Sequence, residues 1–126
     1  MERQKPTLMD LQERAFKFSE GRPTMRNQDT PTNLLRKLNH EEGELWREIN
    51  RRYPSREAIG KELADIGLFL LTLANQYGLD LGQFIEDKLD FNEQRFPASL
   101  FQYDSGLSFK EAYEMAKEAE KKSHSS

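Results

Sequence analysis

Glu62-Leu63-Ala64-Asp65-Ile66-Gly67-Leu68-Phe69-Leu70-Leu71 is the stretch that decides the fold of this chain. At its start stand two carboxylates three residues apart, a spacing that a helix turns into one face and about one turn of separation. At its end it enters a continuous apolar run from Ile66 to Ala74, too short to cross a membrane and suited to the centre of a helical bundle. Ile59, Glu62, Ile66, Phe69, Leu73 and Tyr77 follow the i, i+3, i+4 rhythm of an amphipathic helix. Glu62 therefore occupies a stripe position where a core residue is expected, and Asp65 lies on its flank.

Upstream, Glu41-Glu42-Gly43-Glu44-Leu45 repeats the arrangement. Leu34, Leu38, Glu41, Leu45 and Ile49 run at helical spacing, so Glu41 also stands in an apolar stripe. With 33% of the chain charged, a pair of glutamates on a helix is ordinarily solvated surface. Carboxylates inside the stripe are a different matter, because an ionised group removed from water needs a cation or strong hydrogen bonds. The link between the two helices is short and contains Pro54, which makes them antiparallel neighbours and brings E-x-x-E to face E-x-x-D. Four oxygen donors on two helices suit a hard divalent cation such as Mg²⁺, and the pattern favours a metal site over a solvated face.

The 126 residues make one domain, all-α, long enough for a core and short for an enzyme that encloses its substrate unaided, so a homo-oligomer is expected. A net charge of −3 gives no electrostatic footprint for nucleic acid. The absence of cysteine excludes a disulfide framework and a thiolate zinc site and suits a reducing compartment. No apolar run reaches the length of a membrane span and Met1 to Pro6 lacks the apolar core of a secretion signal, so a cytoplasmic protein is expected.

Residues 1–6 are polar and read as a frayed tail, and residues 7–116 as the domain. Thr7 caps a first helix carrying Leu8, Leu11, Ala15 and Phe18 on one side, ended near Gly21-Arg22-Pro23. After a loop to about Gln28, Thr30 and Pro31 are N-cap and first residue of the second helix, which ends between Arg51 and Tyr53. Ser55 caps the third, which stops at Gly78. Asp80 and Gln83 form a capping box for a fourth with Phe84, Ile85, Leu89 and Phe91 inward, ended before Pro97. The core is placed at residues 8–97 and an extension at 98–116, irregular and aromatic to Leu107, with Phe101 and Tyr103 packed back onto the bundle or a neighbouring subunit. Ser108 and Glu111 box the start of a C-terminal helix carrying Phe109, Ala112, Tyr113 and Ala116, and residues 117–126 read as an unstructured polar tail. His40 is a surface or supporting histidine and not a ligand, and Trp46 an interface or core residue.

An ordered series of motifs then identifies a family. Besides the paired carboxylates, the chain has Pro31-Thr32-Asn33-Leu34 opening the second helix, the stretch from Glu62, Gly78-Leu79-Asp80-Leu81, and Lys88, Asn92, Arg95 and Pro97 in K-x-x-x-N-x-x-R-x-P order. It resembles the MazG-like, all-α nucleoside triphosphate pyrophosphatase superfamily, in particular its small dCTP pyrophosphatase-type members, over roughly residues 8–97. The resemblance implies a bundle of about four core helices plus a C-terminal helix, assembled as a homodimer or, in preference, a homotetramer. It implies hydrolysis of a nucleoside triphosphate to the monophosphate and pyrophosphate, with Mg²⁺, or Mn²⁺ in its place, held by Glu41, Glu44, Glu62 and Asp65. On the same ground Lys88 and Arg95 are assigned to phosphate charge, Asn92 to phosphate, sugar or base, and Phe69 to a position near the nucleoside, with a core role for Phe69 kept open. Glu42 and Glu48 are read as surface acids.

The departures fall around the base. Relatives carry histidine where this chain has Asp29, tryptophan where it has Arg51 or Arg52, tyrosine at Phe69 and a further tryptophan at Met25. The metal positions are kept and the base pocket is altered, so the preferred base does not carry over. The readings set against this one are hydrolysis of a phosphoribosyl-nucleotide, a helical protein that binds nucleotides or partners without turnover, and a dinuclear iron bundle. The last requires Glu followed three residues later by His, a pattern neither histidine satisfies.

Overall fold

A computed structural model describes residues 4–124, and among them every regular element is helical. The α-helices are α1 (Leu8–Glu20), α2 (Pro23–Arg26), α3 (Pro31–Ile49), α4 (Arg56–Gln76), α5 (Leu81–Arg95) and α6 (Phe109–His124), with short 3₁₀ turns at Ala98–Phe101 and Tyr103–Ser105. The chain forms two compact units that divide after Gly82, inside the first turn of α5.

Local chemistry sets the helix ends. The Thr7 hydroxyl accepts from the Asp10 N–H at 3.1 Å while the Asp10 carboxylate accepts from the Thr7 N–H at 2.9 Å, a reciprocal box that opens α1. Thr30 and Ser55 accept from the N–H groups of Asn33 and Ala58 and open α3 and α4, with Pro31 in the first turn of α3, where its missing donor has no consequence. At the end of α4, Gly78 adopts φ +64°, and the N–H groups of Leu79 and Gly78 turn back to the carbonyls of Ala74 and Asn75. This is a Schellman cap, and its left-handed residue favours glycine.

In the first unit α3 and α4 form a hairpin. Glu41, two turns before the end of α3, meets Glu62 and Asp65, two or so turns into α4, a register that only antiparallel helices joined by the short 50–55 link provide. α1 packs on α4, and Leu34, Leu71 and Ala74 are the buried apolar core. The residue of α1 that is buried is Gln12, while Leu8, Leu11 and Phe18 of the apolar side are all exposed. Its amide donates to the Leu79 carbonyl at 2.6 Å and accepts from the Leu81 N–H at 3.2 Å, and the Asn75 amide donates to the Gln12 backbone carbonyl at 3.0 Å. The reason is spatial: the α4–α5 turn presents a carbonyl and an N–H to this face of α1, and the Gln12 amide, with a donor and an acceptor at one end, serves both, which an apolar side chain cannot. The loop expected to run to Gln28 contains the single turn α2, opened by Pro23.

The second unit is held by aromatic rings. Phe96 stacks on Tyr113 at 5.6 Å between centroids, Phe101 meets Phe96 edge-on at 6.0 Å, and Phe109 completes the group beside Phe101 and Tyr113. Ala112 and Ala116 are fully buried, one turn apart on α6. The Ser108 and Glu111 box is present in both directions, at 3.0 and 3.1 Å, and these bonds hold the Glu111 carboxyl below its usual range.

Several expectations for this half are corrected. Residues 117–124 continue α6 as a helix instead of forming an unstructured tail, supported by an ion pair from Glu120 and by the Lys117 ammonium over the Tyr113 ring; residues 125–126, like 1–3, lie outside the described residues. Tyr103 stands fully exposed on its 3₁₀ turn, which removes it from packing onto its own bundle. Phe84, Ile85, Leu89 and Phe91 of α5 are exposed, not inward. In the first unit, Trp46 of α3 is 67% exposed, which removes it from the core.

Candidate metal and nucleotide site

The hairpin brings Glu41, Glu62 and Asp65 together: one carboxylate oxygen from each lies within 4.8 Å of the others. Glu41 and Glu62 are half-buried and Asp65 is exposed, so the cluster has a protein side and an open side. Glu62 Oε2 is shielded from solvent and has no hydrogen-bond partner, an acceptor that a cation would satisfy. Glu44, the fourth acidic position, is turned toward Arg47 at 3.0 Å and lies 3.9 Å from His40 Nε2. It remains near enough for its charge to act on Glu62. Of the extra acids, Glu42 is exposed and Glu48 pairs with Arg51 at 2.9 Å.

Crowding of like charge shows in Glu62. The Glu41 carboxyl close beside it, with which a protonated Glu62 can share its proton, then burial, then the charges of Glu41, Asp65 and Glu44 raise its pKa from the ordinary 4.5 to about 7. The donor set fits a hard divalent cation, since carboxylates this close repel one another unless a proton or a cation sits between them.

That shift has a consequence for stability with a definite sign. Between pH 4.5 and about 7 the folded chain keeps a proton on Glu62 that the unfolded chain has lost, so stability falls as pH rises through this window and stays low above it. The metal-free protein is therefore expected to lose melting temperature from about pH 5 to about pH 7.5 by more than Glu62→Gln does. Millimolar Mg²⁺ or Mn²⁺ should restore the wild type at the upper pH, because a ligand bound only by the folded state stabilises it by mass action. Differential scanning fluorimetry across the two pH values, with and without cation, measures both effects; parallel pH profiles for the two proteins would contradict the crowding.

The remaining candidate residues lie elsewhere in the chain. Phe69 is half-buried one turn beyond Asp65 on α4. On α5, Lys88 and Arg95 share one side: the ammonium is 5.0 Å and the guanidinium carbon 5.9 Å from the centroid of the Phe91 ring between them. Asn92 is half-buried on the same helix. Arg95 also lies 4.8 Å over the Phe96 ring and is paired with Glu120 of α6, a partner no sequence pattern signalled.

Asp29, where the resemblance expects a histidine, is tied into the protein. Its carboxylate pairs with Lys37 at 3.0 Å, and its backbone carbonyl accepts from the Gln76 amide at the far end of α4. A residue so held is part of the α3 entry and does not behave as a loose surface acid.

Residues 29–100 match the MazG nucleotide pyrophosphohydrolase domain. The chain belongs to that family. The matched segment of this MazG chain contains α3, α4 and α5, and with them all four acidic positions and Lys88, Asn92 and Arg95; α1, α2 and α6 lie outside it. The MazG chain is 33% identical over 106 residues to dCTP pyrophosphatase 1 of Mus musculus and 32% identical over 106 residues to dCTP pyrophosphatase 1 of Homo sapiens. In both comparisons 75% of this chain is aligned and 62% of the relative, so the chain spans less than two thirds of these relatives.

Proposed function

We propose that the chain is a divalent-metal-dependent nucleoside triphosphate pyrophosphohydrolase that converts a ribo- or deoxynucleoside triphosphate to the monophosphate and pyrophosphate, removing unwanted nucleotides from the cell. The observation that carries this reading is the convergence of Glu41, Glu62 and Asp65 around the partnerless Glu62 oxygen, within a chain of the MazG family.

Glu41, Glu62 and Asp65 would hold the cation, and Glu44, paired here with Arg47, is the fourth acid that could complete the set. When bound, Mg²⁺ neutralises phosphate oxygens and acidifies water. A carboxylate left partly free by the cation would accept the proton of the attacking water. Lys88 and Arg95 meet phosphate charge, Asn92 contacts phosphate, sugar or base, and Phe69 lies near the nucleoside. Apolar side chains left exposed on the α3–α4 hairpin, among them Leu35, Trp46, Ile49, Leu63 and Leu70, support assembly as a homodimer or homotetramer.

Incubating the protein with each common nucleoside triphosphate and with base-modified ones in Mg²⁺, and resolving the products, tests the reading directly. Monophosphate and pyrophosphate in equal amounts are expected; orthophosphate as the first product, or no turnover by a folded protein that binds metal, would rule it out.

A further inference from the structure

Arg95 does not stand alone on α5. Its Nε approaches Glu120 Oε2 of α6 to 2.9 Å, and both side chains are largely buried, at 20% and 25% exposure. The two facing atoms have no solvent contact, and they meet as an ion pair and not as an aligned hydrogen bond. The other face of the guanidinium lies 4.8 Å from the Phe96 ring, which itself stacks on Tyr113 of α6. Arg95 is thus fixed on two sides: by charge at Nε and by a ring at its flat face. Of the five N–H groups of a guanidinium, the one at Nε faces the carboxylate, and the four on the Nη atoms are those that fork onto phosphate oxygens. Glu120 lies twenty residues beyond the segment matched by the family domain, on the part of α6 that sequence composition marks as a tail.

We infer that Glu120 is a positioning residue for the phosphate-reading arginine, so that the C-terminal helix sets substrate affinity through the Glu120–Arg95 ion pair. This rests on the proposed phosphate role of Arg95. A long flexible side chain loses rotamer freedom when it grips a ligand, and fixing it beforehand removes that cost from binding. An effect on binding, and not on the bond-breaking step, is what such pre-organisation produces.

The test is a double-mutant cycle in steady-state turnover of whichever nucleotide the protein hydrolyses, using Arg95→Ala, Glu120→Ala, Glu120→Gln and the Arg95→Ala/Glu120→Ala pair, each checked for folding by circular dichroism and melting temperature. Arg95→Ala is expected to raise KM by roughly ten- to a hundredfold and Glu120→Ala by roughly three- to tenfold with kcat little changed. Glu120→Gln, which keeps the shape and loses the charge, should fall between wild type and Glu120→Ala. In the Arg95→Ala background Glu120→Ala should add nothing, the signature of a residue acting through another. An impaired Arg95→Ala beside a Glu120→Ala of wild-type or lower KM, or a Glu120 effect that persists without Arg95, overturns the positioning role alone. A wild-type KM for Arg95→Ala instead overturns the phosphate role beneath it, and no turnover by the wild type overturns the proposed function itself.

Discussion

Glu62→Gln is expected to lower metal-dependent turnover by roughly a thousandfold or more while the metal-free protein melts at a higher temperature than wild type near neutral pH. The two effects come from one cause. Glu62 stands in the apolar stripe of α4, half-buried, with Glu41, Asp65 and Glu44 around it, and its ionisation is opposed by all of them. The amide keeps the size and removes the charge, so the folded state gains from relieved repulsion while the proposed cation site loses a ligand. A parallel titration with Mn²⁺ should show the cation-induced rise in melting temperature reduced together with kcat. Asp65→Asn should behave alike in turnover and shift stability less, because Asp65 is exposed. A Glu62→Gln protein that is folded and retains most of its turnover would remove this cluster from the reaction.

Gln12→Ala is expected to be the most damaging change away from the acids, by about 2–4 kcal/mol, or roughly 10 °C in melting temperature. Removing the amide leaves the Leu79 carbonyl and the Leu81 N–H without partners in a part-buried turn and opens a gap where a side chain is 4% exposed. Gln12→Leu fills the gap but not the hydrogen bonds, so it should recover only a minor share. Gln12→Glu keeps an acceptor for Leu81 but sets a carboxylate against the Leu79 carbonyl, and it should be less harmful in acid, where the carboxyl can donate. Denaturant unfolding of the three variants separates packing from hydrogen bonding; a Gln12→Leu protein as stable as wild type would show that the bonds contribute nothing net.

The helix starts, the cap that closes α4 and the approach of Glu41 to Glu62 were legible because each depends on a few residues close in sequence. Thr7, Thr30, Ser55 and Ser108 each cap a helix through contacts three residues away, and Gly78 ends α4 with the positive φ that favours glycine. Glu41 and Glu62 stood out because a charged residue in an apolar stripe contradicts its surroundings, and the short link after α3 made the two stripes neighbours. By contrast, helical spacing gave α5 an inward face of Phe84, Ile85, Leu89 and Phe91 that the single chain leaves exposed, since periodicity reports that a face is apolar and not what covers it.

By itself, then, the sequence determined an all-helical chain, the starts of its main helices, the α3–α4 hairpin and the meeting of Glu41 with Glu62 and Asp65, all consequences of period, caps and link length. Only the tertiary structure decided that Gln12 and not its apolar neighbours would be buried, that Glu44 would turn to Arg47, and that Glu120 would hold Arg95. These choices join residues on different elements or select among partners within reach. Their energies depend on which backbone groups and charges lie opposite in space, which no local spacing encodes.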